Sequence, residues 1–455
     1  MVCGRRFASL ALAGLIGMTG AALGQQAPAL RTTIDDTDSD VAADTSDTLP
    51  QAVPLPRETS LTVKPLEEPP PMIRRKAATD PYAPLGIDTG GLTLYPSIMI
   101  GGVYSSNIKQ SHDDRDAAPG VLLKPSLNFA SDWSRHSLTG SADLDLERYA
   151  DKDKTLLRSG DADIDLRLDI RHDRRVELGL YATLDDTGLG NSEVPATAIG
   201  VRSEQIVGGR AAYIQDFGPM EGRVTAGVSY NHYDDVKLSG GGKEDNGDRN
   251  FWAPSLALRA TYTDPPLLKP FAELAYVPRL YTRSHDRNGL ERSSNGYSAT
   301  AGVMIDDNPI WGGSLGLTYL LRDYEDPSLE TTGALGLVGD VSWSPTDLTQ
   351  VVMTATTSID DSVSTASNGN RIWTLDAELT QAIRDNVDLK GGGGLEIEKQ
   401  SGGNDVTYTA NAGVDWKMNP QLTWSAAYDF TYLDAVTSSR SYTEHRVTAG
   451  ITLQP

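Results

Sequence analysis

Cysteine is all but missing from this 455-residue chain: Cys3 is the single one, so no disulfide can form within it and thiolate metal sites are excluded. Histidine is scarce as well, with His112, His136, His172, His232, His285 and His445 scattered and never at the spacing of paired metal ligands. Beyond Gly24 there is no uninterrupted apolar run of about 18 residues, which excludes a membrane-spanning helix. Positive charge is short too. Lys and Arg number 40 against 62 Asp and Glu, for a formal net charge of −22, and so acidic a chain lacks the basic surface that would bind nucleic acid.

What is present begins with an address. Arg5 and Arg6 precede an apolar stretch over residues 7–15, and small residues follow at Ala21, Ala22 and Gly24. This is the layout of a secretory signal, and it predicts a signal peptide over residues 1–24 that takes Cys3 with it. Residues 25–90 are acidic and Pro-rich, from Asp35 and Asp36 to Pro69, Pro70 and Pro71. They bury too little apolar surface to offset their ordering entropy, so a disordered periplasmic arm with polyproline stretches is expected. The three prolines with Arg74, Arg75 and Lys76 could dock the arm on a periplasmic partner or the cell wall; a plain spacer is the other reading.

From residue 91 to 455 the pattern changes to period two. Ala162, Ile164, Leu166, Leu168 and Ile170 alternate with Asp161, Asp163, Asp165, Arg167, Asp169 and Arg171, and the same beat returns at Val224, Ala226, Val228 and Tyr230 and at Trp424, Ala426, Tyr428 and Phe430. Such runs are strands with one apolar and one polar face, and at about ten to fourteen residues they are long enough to cross a bilayer when tilted. About eighteen of them follow one another, sixteen being the alternative count, joined by connections that alternate short and long. Tight turns fall at residues 132–136, 172–174, 216–221, 264–267, 306–309, 344–346, 384–386 and 418–420, rich in Asp, Asn, Gly and Pro. Longer, charged connections fall at 105–119, 186–202, 234–250, 283–294 and 360–369. The expected fold is therefore all-β: a transmembrane up-and-down antiparallel β-barrel in the outer membrane of a Gram-negative bacterium, with both termini in the periplasm. On that topology Trp133, Trp311, Trp343, Trp416 and Trp424 fall near the periplasmic rim and Trp252 and Trp373 near the outer rim, as interfacial girdles require.

The stretch Asp80-Pro81-Tyr82-Ala83-Pro84-Leu85-Gly86-Ile87, running on into Leu94-Tyr95-Pro96-Ser97 and Gly101-Gly102-Val103-Tyr104-Ser105-Ser106-Asn107, resembles the opening of a proteobacterial family of outer-membrane β-barrel proteins of the porin type. The resemblance implies a signal, a Pro-rich arm and a barrel, and brings no catalytic residue and no substrate. The chain departs from many barrels at its end, where Ile451-Thr452-Leu453-Gln454-Pro455 lacks the terminal aromatic of the assembly signal.

Motifs with a chemical spelling fall in the wrong context. Gly312-Gly313-Ser314-Leu315-Gly316 spells a nucleophile elbow but lies in an expected strand with no helix after it. Asp161, Asp163 and Asp165 imitate a calcium loop without its glycine, Leu166 standing there instead. Gly391, Gly392, Gly393 and Gly394 precede no helix and signal a kink or a close backbone approach rather than a phosphate cradle. No enzyme and no cofactor is expected. The informative polar feature is an acidic ladder, Asp143, Asp145 and Glu147 on one strand beside Asp161, Asp163, Asp165, Arg167, Asp169 and Arg171 on the next. If this wall lines the lumen, the protein is a porin-like channel for passive diffusion of small hydrophilic solutes with a preference for cations. The alternative is a non-conducting structural, surface-binding or polysaccharide-export accessory barrel, its acids paired with arginines from elsewhere. Either way the expected partners are outer-membrane lipid, lipopolysaccharide and the barrel-assembly machinery.

Overall fold

The computed structural model describes residues 81–455 apart from 114, 152–154, 188–200, 239–240, 266, 307, 362–367 and 401. The expected signal peptide and most of the expected arm lie outside the described residues. Eighteen long strands make one antiparallel sheet that closes on itself. They are β1 (Leu92–Ser105), β2 (Ala118–Ser131), β3 (Ser137–Tyr149), β4 (Leu156–Arg171), β5 (Arg174–Thr187), β6 (Arg202–Asp216), β7 (Met220–Tyr233), β8 (Phe251–Tyr262), β9 (Leu268–Tyr276), β10 (Ser294–Ile305), β11 (Trp311–Tyr324), β12 (Thr332–Thr346), β13 (Thr349–Asp360), β14 (Asn370–Arg384), β15 (Val387–Gln400), β16 (Gly403–Asn419), β17 (Leu422–Asp434) and β18 (Tyr442–Leu453). Each pairs with the next, and β1 closes the ring against β18, from Ile98 opposite Leu453 to Ser105 opposite Arg446. The barrel is thus the all-β, eighteen-stranded one that the period-two pattern foretells.

The turns define two rims. At the short-turn rim the chain reverses through devices fixed by particular residues: Gly218 takes a φ of +72°, and Asn308 Oδ1 accepts from the main-chain N–H groups of Ile310 and Trp311, both at 2.9 Å. Four ladders shift register next to these turns, between Asp169 and Arg171, Trp343 and Thr346, Ala382 and Arg384, and Lys417 and Asn419. Both chain ends of the barrel lie at this rim, where Ile87 and Asp88 fold back to pair with Leu94 and Thr93. The long-loop rim carries the extended connections with one exception. Gln400 pairs with Gly403, so β15 and β16 are joined there by a short connection, and the φ of +144° at Gly403 favours glycine at that position.

Alternation sorts the side chains into two solvents. Val121, Leu180, Val207 and Leu274 point away from the sheet and are 60–65% exposed, an arrangement that water would penalise and acyl chains favour. The opposite face carries charge, hydroxyls and glycine. Residues directly opposite in an antiparallel pair share a face, so the register assigns Lys124, Glu147, Arg210, Glu273, Thr318 and Asp429 to the inside.

The wall is irregular at one seam. β12 and β13 pair only from Gly339 opposite Ala355 down to Thr346 opposite Thr349. Nearer the long-loop rim, β12 stays paired with β11, while its other edge is met by side chains: Arg371 Nε donates to the Gly333 carbonyl (2.5 Å), Trp373 Nε1 to Leu335 (2.9 Å) and Thr357 Oγ1 to Leu337 (2.8 Å). The upper half of β13 meanwhile remains paired with β14 as far as Asp360 opposite Asn370, and moves inside the ring. Ile359, fully buried, joins a lumenal apolar cluster with Phe251, Ala257, Ala275, Leu320 and Ala334.

Candidate functional site

The acidic ladder lies where the alternation puts it. Asp143 is opposite Asp161, Asp145 opposite Ser159 and Glu147 opposite Leu157, while Asp163 and Asp165 face Ser141 and Thr139. The register thus carries Asp143, Asp145, Glu147, Asp161, Asp163 and Asp165 on one inward face of β3 and β4. Arg167 and Asp169 continue it toward the short-turn rim, where they pair with each other at 3.0 Å. Arg171 lies beyond the register shift, where the alternation ends, and is exposed at that rim.

Bases from neighbouring strands answer part of this charge. Lys124 of β2 meets Asp145 at 2.7 Å, Arg210 of β6 meets Asp165 at 3.2 Å, and the Ser141 hydroxyl donates to Asp163 at 2.5 Å. Arg446 of β18 reaches across β1 and β2 to the Glu147 carboxylate, and holds Asp429 of β17 at 2.8 Å. Tyr149 donates to Glu147 from the other side at 2.6 Å. The carboxylates thus share one face of β3 and β4, and several of them are paired with bases.

A second acidic position lies almost half the circumference away. Asp376 and Glu378 of β14 point inward at mid-strand, opposite Gly394 and Gly392 of β15. A Cβ at Gly394 would collide with Asp376 Oδ1, and one at Gly392 would meet the Ala377 carbonyl at 2.7 Å, so the glycine run is the close approach its sequence signals. Among the described residues neither carboxylate has a hydrogen bond or ion pair, and Lys390, the nearest base, is held at 2.8 Å by Asp415. The alternation of Leu375, Ala377 and Leu379 with Asp376 and Glu378 is the same signal as in β4 and was available to sequence reasoning.

The third feature has no such signal. Where β13 enters the lumen, Asp361 receives Arg279 Nη1 at 2.8 Å, the Tyr281 hydroxyl at 2.6 Å and the Tyr324 hydroxyl at 2.9 Å, and Arg279 Nη2 donates to the Ile359 carbonyl at 3.1 Å. Burial works to raise the Asp361 pKa, but Arg279, Arg322 and the Tyr281 hydrogen bond hold it well below the usual carboxylate range. Arg279 and Asp361 lie far apart in sequence within charged connections, and nothing local marks them as partners.

The tryptophans mark the rims. Trp311 and Trp343 open β11 and approach the end of β12, with rings stacked 5.7 Å apart, and Trp416 faces Trp424 between β16 and β17; Trp133 lies in the β2–β3 turn. All five belong to the short-turn rim. Trp252 and Trp373 belong to the long-loop rim, Trp373 at the seam already described. The serine of the elbow spelling, Ser314, lies inside β11 with no helix after it, so the strained turn that would activate it is not formed there.

Known structures align with this chain at low similarity. The FrpB iron transporter from Neisseria meningitidis (F5-1 variant) aligns with a TM-score of 0.40 and 11% identity over 76% of this chain and 63% of its own, so the chain spans less than two thirds of that protein. The siderophore receptor PirA from Acinetobacter baumannii aligns with a TM-score of 0.39 and 8% identity over 80% of each chain. An anion-selective porin from Comamonas acidovorans aligns with a TM-score of 0.34 and 10% identity over 80% of this chain and 99% of its own. No curated protein matches. The family model described as "Putative beta-barrel porin 2" matches residues 80–455, and with the closed eighteen-stranded barrel in hand, the chain belongs to that outer-membrane family.

Proposed function

We propose that this barrel is a channel for passive diffusion of small hydrophilic solutes across the outer membrane, with a preference for cations. The observation that carries the reading is the mid-wall couple Asp376 and Glu378, without an ion pair among the described residues and set across the ring from the carboxylates of β3 and β4. Two acidic walls facing one lumen give it a negative potential that attracts cations, repels anions and weakens with salt. Barrels of this strand number enclose an aqueous channel unless something fills it. On this reading the short-turn rim and the N-terminal arm face the periplasm, where the arm can meet a partner or the cell wall, and the long loops face lipopolysaccharide.

The inward tip of β13 favours the second reading, a barrel that conducts little and serves a structural or binding role. Ion conductance separates them. In planar bilayers under a potassium chloride gradient, the purified protein should give discrete conductance steps and a reversal potential on the cation-selective side. An anion-selective reversal potential would refute the preference, and silence under all conditions would favour the non-conducting barrel.

A further inference from the structure

The upper half of β13 has a sequence written for the wall and a position inside the lumen. Continuing the register of Gly339 opposite Ala355 would set Leu335 opposite Ile359 and Ala334 opposite Asp360. In that arrangement Ile359 would face outward beside Leu335, which is 58% exposed, while Ser358 and Asp360 would face the lumen with the other polar residues. The alternation of β13 therefore fits the membrane wall to its last residue. The structure instead has Ile359 packed inside, with the adjoining edge of β12 met by side chains of Thr357, Arg371 and Trp373.

We propose that residues 356–360 form a gate with two seats: tucked into the lumen, where they narrow it, and zipped onto the edge of β12, where they complete the wall. Each seat has its own compensation, as a bistable element requires. The tucked seat is held by Arg279 on Asp361 and on the Ile359 carbonyl, and by the hydroxyls of Tyr281 and Tyr324. The zipped seat would exchange three side-chain hydrogen bonds on the β12 carbonyls for main-chain ones, a near-neutral trade. Gly339 marks the fork. Its φ of +140° and the collision a Cβ would make with the Ser314 carbonyl reserve the position for glycine where β12 parts from β13.

Paired cysteines distinguish the seats, in full-length protein with Cys3→Ser as background. Leu335→Cys with Ile359→Cys become cross-strand neighbours only when zipped. Gly336→Cys with Thr357→Cys adjoin only when tucked, since a Cβ at Gly336 would strike Thr357 Oγ1. Oxidation in lipid bilayers should cross-link both pairs, the first holding a high conductance and the second a low one, with wild-type behaviour returning on reduction. Arg279→Met should speed the first cross-link several-fold, a readout that serves even if the second pair does not fold. The gate is overturned if the first pair stays reduced under an oxidant that closes the second, or if Arg279→Met leaves its rate unchanged. Because conductance presumes the channel reading, cross-linking is scored separately: a first pair that closes in a barrel silent in every state upholds the movement and removes the channel.

Discussion

Arg287 grips Asp248 with both arms of its guanidinium: Nε donates to Oδ2 and Nη2 to Oδ1, each at 2.9 Å, and the Arg287 main-chain N–H adds a third bond to Oδ2 at 3.0 Å. The same side chain bonds Glu244, the Asp245 carbonyl and Asn246. One arginine thus ties the connection before β10 to the connection before β8, at the long-loop rim.

That clamp should respond to geometry more than to charge. Arg287→Lys keeps the cation and loses the planar fork, so amide exchange at residues 244–249 should accelerate by about tenfold or more, in line with about 1.5–3 kcal/mol for a hydrogen bond to a charged group. Burial pushes the Asp248 pKa up, yet the side-chain and main-chain bonds from Arg287 prevail and hold it below the ordinary carboxylate value. A depressed carboxylate pKa stabilises above its unfolded value, about 3.9, and loses that contribution as pH falls through the folded value. Protection in this segment, taken relative to the intrinsic exchange rate at each pH, should therefore stay flat from neutral pH to about 4 and fall only below it.

Arg446 has a different task, because it lies inside the wall between two acids. Removing it as Arg446→Met would leave Glu147 and Asp429 buried without the guanidinium that joins them, the nearby Lys124 being engaged by Asp145, and losing one partner of a buried pair costs about 3–5 kcal/mol. Unfolding of the refolded barrel in urea, followed by its gel mobility without heating, should show that loss. Adding Glu147→Gln and Asp429→Asn should recover most of it, and a triple variant no more stable than the single one would show that Arg446 acts through packing alone.

For Asp376 and Glu378 stability and selectivity should part company. With no ion pair among the described residues, the double variant Asp376→Asn with Glu378→Gln sheds charge that the lumen must otherwise solvate, so urea stability should hold or rise. The cation-to-anion permeability ratio should fall at least twofold at low salt and much less at high salt, where screening already weakens the acidic wall. Reversal potentials at two ionic strengths check both statements.

The contrast between these sites explains what was legible in the sequence. Alternation is a local signal, so Leu178, Leu180 and their like reveal strands, faces and even the acidic ladder without knowledge of neighbours. The eighteen-fold count follows from the same rule. Which base answers which acid is a matter of register between distant strands: Arg446 lies almost 300 positions from Glu147, and no spacing encodes their meeting. The β13 tip was hidden for the opposite reason. Its alternation is regular, and a pattern that predicts a wall strand is silent about a strand that leaves the wall.

The tryptophans offer a depth gauge for the whole barrel. Trp133, Trp311, Trp343 and Trp416 are 37–45% exposed at one rim and Trp252 is 48% exposed at the other, whereas the indole N–H of Trp373 is spent on the Leu335 carbonyl. Amphipathic rings favour the headgroup boundary, so lipids brominated near the glycerol should quench most of the intrinsic fluorescence and lipids brominated near the chain ends little of it. The residual fluorescence should fall further on Trp373→Phe than on Trp252→Phe, since the seam partly shields the former from lipid. Equal quenching at all depths would mean that the short-turn and long-loop rims do not coincide with the two membrane surfaces, and the outward apolar belt would then need another solvent.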